Sequence, residues 1–457
     1  MKKRLVLGLL ITALSLSVTA CGGQVQEATR DLVEKEALME NSEAEISEKI
    51  ATEEIEAEGN SDVENEKDNE KDNEAIESSL SVEEETAEMN ELVVREIPEG
   101  ELVVSTIKPD EAHVKFLGRA MYEGDSDSLW MTFSGTGAEF EFYGTKAVVH
   151  FLGDSSSVGH FKDAEPRVAV YVNGERSADV LLDEKEVSVE ACNLDAPQWN
   201  TVRIVKLSEC ANSTCGIASI EVNAVGDINP TAKKQYMVEI IGDSITCGYG
   251  VDDEDKDHHF VTGTEDVTKS YSYLTAEALD VDYSMVSFSG YGIASGWTDS
   301  GEINTIATLP QYYKKMGFSY QQYMDKAPQD FDWDFARKPD VVVINLGTND
   351  ASYTKKDKEK QAEYKEKYVE FLKEVRECNP QATIVCTLGI MGDELYESMV
   401  EAMNTYKNET GDENIYNYKF QTQLASDGYV ADWHPSVVTH RKAAEKLVGK
   451  IASILEQ

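Results

Sequence analysis

The chain has 457 residues, enough for two ordinary domains and additional segments. Its formal net charge of -44 argues against a nucleic-acid binder, whose surface is basic, and against electrostatic adhesion to anionic lipid. The charge is uneven, since residues 27–99 hold 27 Asp+Glu against 6 Lys+Arg.

Met1-Lys2-Lys3-Arg4 is a basic start, and Leu5 to Ala20 is an uncharged, mostly apolar run with a small-residue end. This is the pattern of a secretory signal over 1–20, too short for a membrane span. Val18-Thr19-Ala20-Cys21-Gly22 resembles a bacterial lipoprotein lipobox. That resemblance implies cleavage before Cys21, a lipid on its sulfur, and an extracytoplasmic protein anchored to the cell membrane. Residues 21–97 follow as an acidic tether without aromatics, which cannot bury enough apolar surface to offset its ordering entropy.

From 98 to 232 short alternating runs recur between turn residues: 129–135, 138–144, 146–153, 167–175, 201–207 and 217–225. Period-two alternation of this kind predicts an antiparallel β-sandwich, with Asn173-Gly174 as a hairpin turn. Cys210 and Cys215 flank a short polar loop and could pair in an oxidising compartment. Cys247, Cys378 and Cys386 sit in apolar contexts that suit free buried thiols, and no spacing matches a zinc site.

The rhythm changes over 233–457. Apolar strands are predicted at 237–241, 282–289, 340–347, 382–389 and 414–420, with helices at 269–280, 357–377, 393–408 and 438–456. Strands apolar on both faces and separated by helices predict a parallel sheet covered on both sides, in a doubly wound, flavodoxin-like order.

Four stretches fall at the ends of these elements: Gly242-Asp243-Ser244, 287-SFSGYG-292, 345-NLGTND-350 and 432-DWHPS-436. In a doubly wound sheet the carboxyl ends of neighbouring strands lie side by side, so the four would meet in one crevice. Together they carry what acyl-ester hydrolysis needs. Ser244 is the candidate nucleophile, His434 its general base, Asp432 the acid that orients His434. The backbone N–H groups of Ser244 and Gly290 and the side-chain amide of Asn349 are the candidate oxyanion donors, with Gly292 an alternative to Gly290.

These motifs resemble the blocks of the SGNH, or GDSL, hydrolase superfamily, over roughly 236–457. Serine, glycine, asparagine and histidine of that family map onto Ser244, Gly290, Asn349 and His434. The preceding sandwich, with 242-GDSITCGYG-250 and 432-DWHPS-436, is similar to carbohydrate esterase family 2. That resemblance implies an all-β jelly-roll domain before the α/β flavodoxin-like SGNH hydrolase domain. It also implies removal of O-acetyl groups from plant polysaccharides such as xylan or glucomannan, with no cofactor or metal. Many SGNH enzymes carry the acid three residues before the histidine, where this chain has Ala431, and some relatives orient the histidine by a backbone carbonyl instead. An O-acetyl esterase of cell-wall or capsular glycan would use the same groups, and a carbohydrate-binding surface protein with a vestigial hydrolase domain is the reading of another class.

Asp243 and Asp350 read as turn braces, and 252-DDEDKDHHF-260 as a solvated loop without EF-hand spacing. Among aromatics near the crevice, Trp297, Tyr291 and Trp433 are candidate platforms for a sugar ring, Trp297 first because Gly and Ser flank it.

Overall fold

The computed structural model describes residues 95–159 and 163–456. The signal segment, Cys21 and all but the last three residues of the tether lie outside the described residues. Among the described residues no helix is long and apolar enough to cross a membrane.

The first half is one ten-stranded antiparallel network. Its strands are β1 (Val103–Ile107), β2 (Lys115–Leu117), β3 (Ala120–Glu123), β4 (Ser128–Met131), β5 (Gly137–Gly153), β6 (Arg167–Val172), β7 (Glu175–Leu181), β8 (Glu186–Lys206), β9 (Cys215–Ala224) and β10 (Asn229–Pro230). The expected strands 138–144 and 146–153 are one strand, β5, with a register shift between Gly144 and Lys146. Gly144 reads as a turn in the sequence but marks a close approach. A Cβ there would stand 2.3 Å from the Asn223 carbonyl oxygen, so only glycine lets the backbones meet at the bulge. Asn173 and Gly174 do form the hairpin turn, with φ of 52° and 89° between β6 and β7. Phe140, Phe142, Val149, Phe151, Val168 and Ile204 fill the core of this half.

The second half is a five-stranded parallel sheet of β11 (Met237–Gly242), β12 (Asp282–Ser287), β13 (Val341–Asn345), β14 (Thr383–Leu388) and β15 (Ile415–Lys419). Its order is β12-β11-β13-β14-β15, the flavodoxin-like arrangement. β11, β12 and β13 are buried at every position, as strands covered on both faces must be. The helices are α1 (Ser244–Cys247), α2 (Tyr271–Ala278), α3 (Pro310–Tyr313), α4 (Thr348–Thr354), α5 (Lys358–Cys378), α6 (Tyr396–Thr410) and α7 (Val437–Leu455). Asp357 caps α5 by accepting from the N–H groups of Glu359 and Lys360.

The halves share their cores. Phe133, Cys210 and Ala211 of the first pack in one cluster with Ile241, Val286 and Phe288 of the second. Arg119, fully buried, donates to Glu239 on β11 at 3.1 Å and lies over the Tyr313 ring. A buried charge is tolerated only when paired and hydrogen-bonded, so this contact fixes how the halves meet. Cys210 and Cys215, whose pairing the sequence left open, are free thiols in this structure, as are Cys192, Cys247, Cys378 and Cys386.

Candidate active site

β11 ends at Gly242, and Asp243 caps the short helix α1 that follows, its Oδ1 accepting from the Ile245 N–H at 3.1 Å. Ser244 is therefore the first residue of a helix, where N–H groups have no intrahelical acceptor. The turn after β12 carries Gly290, α4 after β13 carries Asn349, and the segment before α7 carries His434. The sheet thus delivers all four to its carboxyl edge.

Ser244 Oγ donates to His434 Nε2 at 2.9 Å, and both residues are buried. Nδ1 of the same ring faces two backbone carbonyls, those of Ala431 and Asp432, each at 3.2 Å. Nδ1 therefore carries the proton and Nε2 is the acceptor, the tautomer a general base requires. Burial pushes His434 down to about 4, against the opposing pull of the two carbonyls and of the Asp432 charge. At neutral pH the ring is uncharged and ready to accept the serine proton.

Asp432 does not orient His434 through its carboxylate, which corrects the expected triad. The segment turns left-handed at Asp432 and Trp433, with φ of 50° and 63°. This directs the Ala431 and Asp432 carbonyls at the imidazole and the Asp432 side chain elsewhere. Its Oδ2 accepts from the Tyr249 hydroxyl at 2.7 Å and the Phe260 N–H at 3.1 Å, and Oδ1 meets His259 Nδ1 at 3.0 Å. Burial alone would raise this carboxyl, but those donors hold it below its ordinary value. Two non-glycine residues in left-handed conformation cost of order 1–3 kcal/mol each, and such strain persists where the site demands it.

Tyr249 is the link between that carboxylate and the base. Its ring stacks on His434 with centroids 3.9 Å apart, and Phe260 stacks on its other face at 4.2 Å. The loop 252–260 thus closes over Asp432 and Tyr249 rather than only facing solvent. His259 and Phe260 carry no motif that singles them out. Tyr249 follows the serine by five residues in an aromatic position and was readable only as one aromatic among several.

Of the oxyanion candidates, Gly290 has φ +79°, a conformation glycine adopts freely, and its Cβ position is open. Its N–H has no acceptor among the described residues, whereas Gly292 donates to Ala307 O at 3.2 Å. Asn349 Nδ2 donates to Tyr291 O at 2.9 Å and faces Asp243 Oδ2 at 3.4 Å. One amide hydrogen positions the side chain, and the second, in the long contact, is the one an oxyanion would draw. Asp350 accepts from the N–H groups of Ile293, Ala294 and Ser295 at 2.7–3.1 Å and so braces the loop after Gly290.

Trp297 and Trp433 are 59% and 51% exposed, as a platform must be. Lys256 Nζ lies 4.6 Å from the Trp433 ring centroid. Tyr291 is corrected. It is 3% exposed, packed against Phe288 and Tyr312, and its contribution is the carbonyl that holds Asn349.

Residues 238–447 match the GDSL-like Lipase/Acylhydrolase family, and residues 116–231 match the Carbohydrate esterase 2 N-terminal family. The cellulase/esterase CelE of Acetivibrio thermocellus is 29% identical over 354 residues, covering 76% of this chain and 40% of CelE. The chain thus spans less than half the length of that relative. An acetylxylan esterase/glucomannan deacetylase of Cellvibrio japonicus is 26% identical over 357 residues, 77% of this chain and 91% of that protein. A family two carbohydrate esterase from Clostridium thermocellum, solved in complex with cellohexaose, superposes with a TM-score of 0.64 and 26% identity, over 75% of this chain and 99% of that one.

Proposed function

We propose that this carboxylic ester hydrolase, a GDSL acylhydrolase domain behind a carbohydrate esterase 2 N-terminal domain, removes O-acetyl groups from carbohydrate. The observation that carries the reading is the 2.9 Å hydrogen bond between Ser244 Oγ and the neutral, buried His434. The substrate class rests on relatives named as acetylxylan esterase/glucomannan deacetylase and on the cellohexaose bound to a related esterase.

In the reaction so read, Ser244 Oγ attacks the acetyl carbonyl carbon as its proton passes to His434 Nε2. The carbonyl π electrons move to oxygen, and that oxyanion is met by the N–H groups of Ser244 and Gly290 and by Asn349 Nδ2. Collapse expels the sugar oxygen, which takes the proton from His434 and leaves acetyl-Ser244. Water then attacks the acyl carbon, His434 takes its proton, and a second collapse returns that proton to Ser244 Oγ and frees acetate. Donors fixed before reaction are worth most here, typically about 3–4 kcal/mol of barrier for one side chain. Exposed Trp297 and Trp433 supply flat faces for the glycan.

The same reading places the protein outside the cytoplasm, anchored by a lipid on Cys21.

The test is acetate release from acetylated xylan and acetylated glucomannan by the wild type and by Ser244→Ala, with acetyl and butyryl aryl esters beside them. Release that disappears in the variant is expected. Hydrolysis of aryl acetate without release from either polysaccharide would move the substrate to envelope glycan. Absence of any Ser244-dependent hydrolysis would overturn the esterase reading.

A further inference from the structure

Behind the nucleophile lies a buried polar cluster that the reaction above does not use. Glu209, in the segment between β8 and β9 of the first half, is 2% exposed. Its Oε2 accepts from the Ser289 N–H at 2.6 Å and lies 3.7 Å from Cys247 Sγ. Its Oε1 accepts from Asn212 Nδ2 at 2.9 Å. Its own N–H is held by Glu265 Oε2 at 2.7 Å, and its carbonyl by Lys206 Nζ at 3.0 Å.

The three side chains Glu209, Cys247 and Glu265 bring atoms within 4.8 Å of one another, a spacing that would admit a cation. Protein hydrogen bonds already engage most of these atoms. Both Glu209 oxygens are engaged, and the buried Lys206 ammonium already supplies positive charge beside them. Glu265 Oε2 accepts from the Glu209 N–H, and its Oε1 is buried without a partner among the described residues. Burial raises both carboxyls, and Glu209 is the one that collects donors on both oxygens, from the Ser289 N–H and from Asn212 Nδ2.

What Glu209 touches is informative. Ser289 immediately precedes Gly290, and Cys247 ends the short helix that Ser244 begins. One carboxylate oxygen therefore meets both segments that offer backbone N–H groups to the oxyanion. Gly290 has no side chain to fix it and open space at its Cβ position. The 288–291 turn is also held by Tyr291 N–H to Phe288 O at 3.3 Å, Trp297 N–H to Gly290 O at 2.8 Å, Phe288 N–H to Gly242 O at 3.4 Å and Asn349 Nδ2 to Tyr291 O at 2.9 Å.

We propose that Glu209, supplied by the β-rich half, is a positioning residue for the oxyanion site of the α/β half, acting through the Ser289 N–H and α1. The proposal rests on the serine-esterase reading. It gives the first half a part in the chemistry, because without Glu209 the turn that presents Gly290 would lose the carboxylate that ties the Ser289 N–H to that half. A group that only orders transition-state donors should change kcat and leave KM nearly alone.

The experiment uses the full chain, an aryl acetate, and titration of reactive Ser244 with a phosphonate so that rates refer to competent sites. Glu209→Leu, similar in shape but without an acceptor, is expected to lower kcat per titrated site on the order of 30-fold with KM within about 2-fold, less than removal of an oxyanion donor itself. Glu209→Gln keeps an acceptor for the Ser289 N–H and should recover to within about 3-fold of wild type. Should the leucine variant not fold, Asn212→Ala releases the other carboxylate oxygen, and kcat should fall by about 3–10-fold at unchanged KM. Wild-type kcat per titrated site in Glu209→Leu, or in Asn212→Ala where that variant stands in, would overturn the proposal. So would a loss that appears in KM. A wild type that neither labels nor turns over would instead overturn the esterase reading beneath it.

Discussion

The ring of Tyr249 lies against the imidazole of His434, centroids 3.9 Å apart and planes 23° from parallel, while its hydroxyl donates to Asp432 at 2.7 Å. This relationship gives Asp432 a part in catalysis other than the one its position suggests. When His434 becomes an imidazolium, its charge develops over an aromatic face whose phenol is hydrogen-bonded to an anion. Such a contact is worth about 0.5–2 kcal/mol.

Replacing Tyr249 tests that contact. Tyr249→Phe keeps the ring and loses the bond to Asp432, and kcat should fall by no more than about 3-fold. Tyr249→Leu removes the face and should lower kcat by about 10–30-fold. Steady-state rates on an aryl acetate read the difference, and equal losses in the two variants would show that the hydroxyl, not the face, matters.

Asp432→Asn should be mild. Asparagine tolerates the left-handed backbone at this position, and the two carbonyls that face Nδ1 are untouched by a side-chain change. A loss within about 5-fold is expected, where neutralising the acid of a triad that orients its histidine by carboxylate costs about 10⁴. A thousandfold loss would restore Asp432 to the role its sequence position implies.

How much of this was legible follows from which interactions are local. β11, β13 and β14 were readable because strands buried on both faces are nearly continuously apolar. β12, with Asp282, Ser284 and Ser287, and the mostly exposed β15 were placed by the helices that flank them. Gly144 misled because a glycine at a bulge and a glycine at a turn look alike in sequence. The carbonyl orientation of His434 stood open beside Asp432 but could not be chosen, since it depends on left-handed φ at Asp432 and Trp433, residues that do not announce that conformation. Glu209 was hidden for another reason. An acid in a polar segment reads as surface, and only the docking of the two halves buries it against Ser289.

Asn349→Ala should lower kcat by about 10²–10³-fold with little change in KM, the cost of one oxyanion donor. The fold should persist. The Asn349 side chain bonds the Tyr291 carbonyl and faces Asp243, and the loop beyond Gly290 keeps its Asp350 brace. A rise in KM at constant kcat would mean that Asn349 binds the ground state instead.

The pH profile follows from His434. Its neutral form is the active one, and burial depresses its pKa from 6.5 to about 4. Activity should therefore be lost as pH falls through about 4 and be level from about 5 to 8, where an unshifted histidine would already fail near 6.5. Stability carries the same sign. The unfolded chain takes up the proton below 6.5 and the native state only near 4, so this contribution is complete above 6.5 and lost between the two values. Profiles of kcat/KM on an aryl acetate, beside denaturation midpoints at each pH, separate the two effects. An activity midpoint near 6.5 would contradict the depressed pKa.

Trp297 and Trp433 distinguish glycan binding from chemistry. Both are more than half exposed and neither donates to the reacting groups. If Trp297 is a platform for a sugar ring, Trp297→Ala removes a stacking face worth about 0.5–1.5 kcal/mol. KM for acetylated polysaccharide should rise by about 2–10-fold, while kcat/KM for a small aryl acetate stays within about 2-fold. The aryl ester occupies only the acyl site, so the comparison isolates the rest of the cleft. The Trp297 N–H donates to the Gly290 carbonyl at 2.8 Å, a backbone contact that alanine preserves. Loss on the aryl acetate as large as on the polysaccharide would mean that the ring shapes the oxyanion loop and not a glycan subsite. Trp433→Ala, tested in the same way, reports on the segment that carries His434.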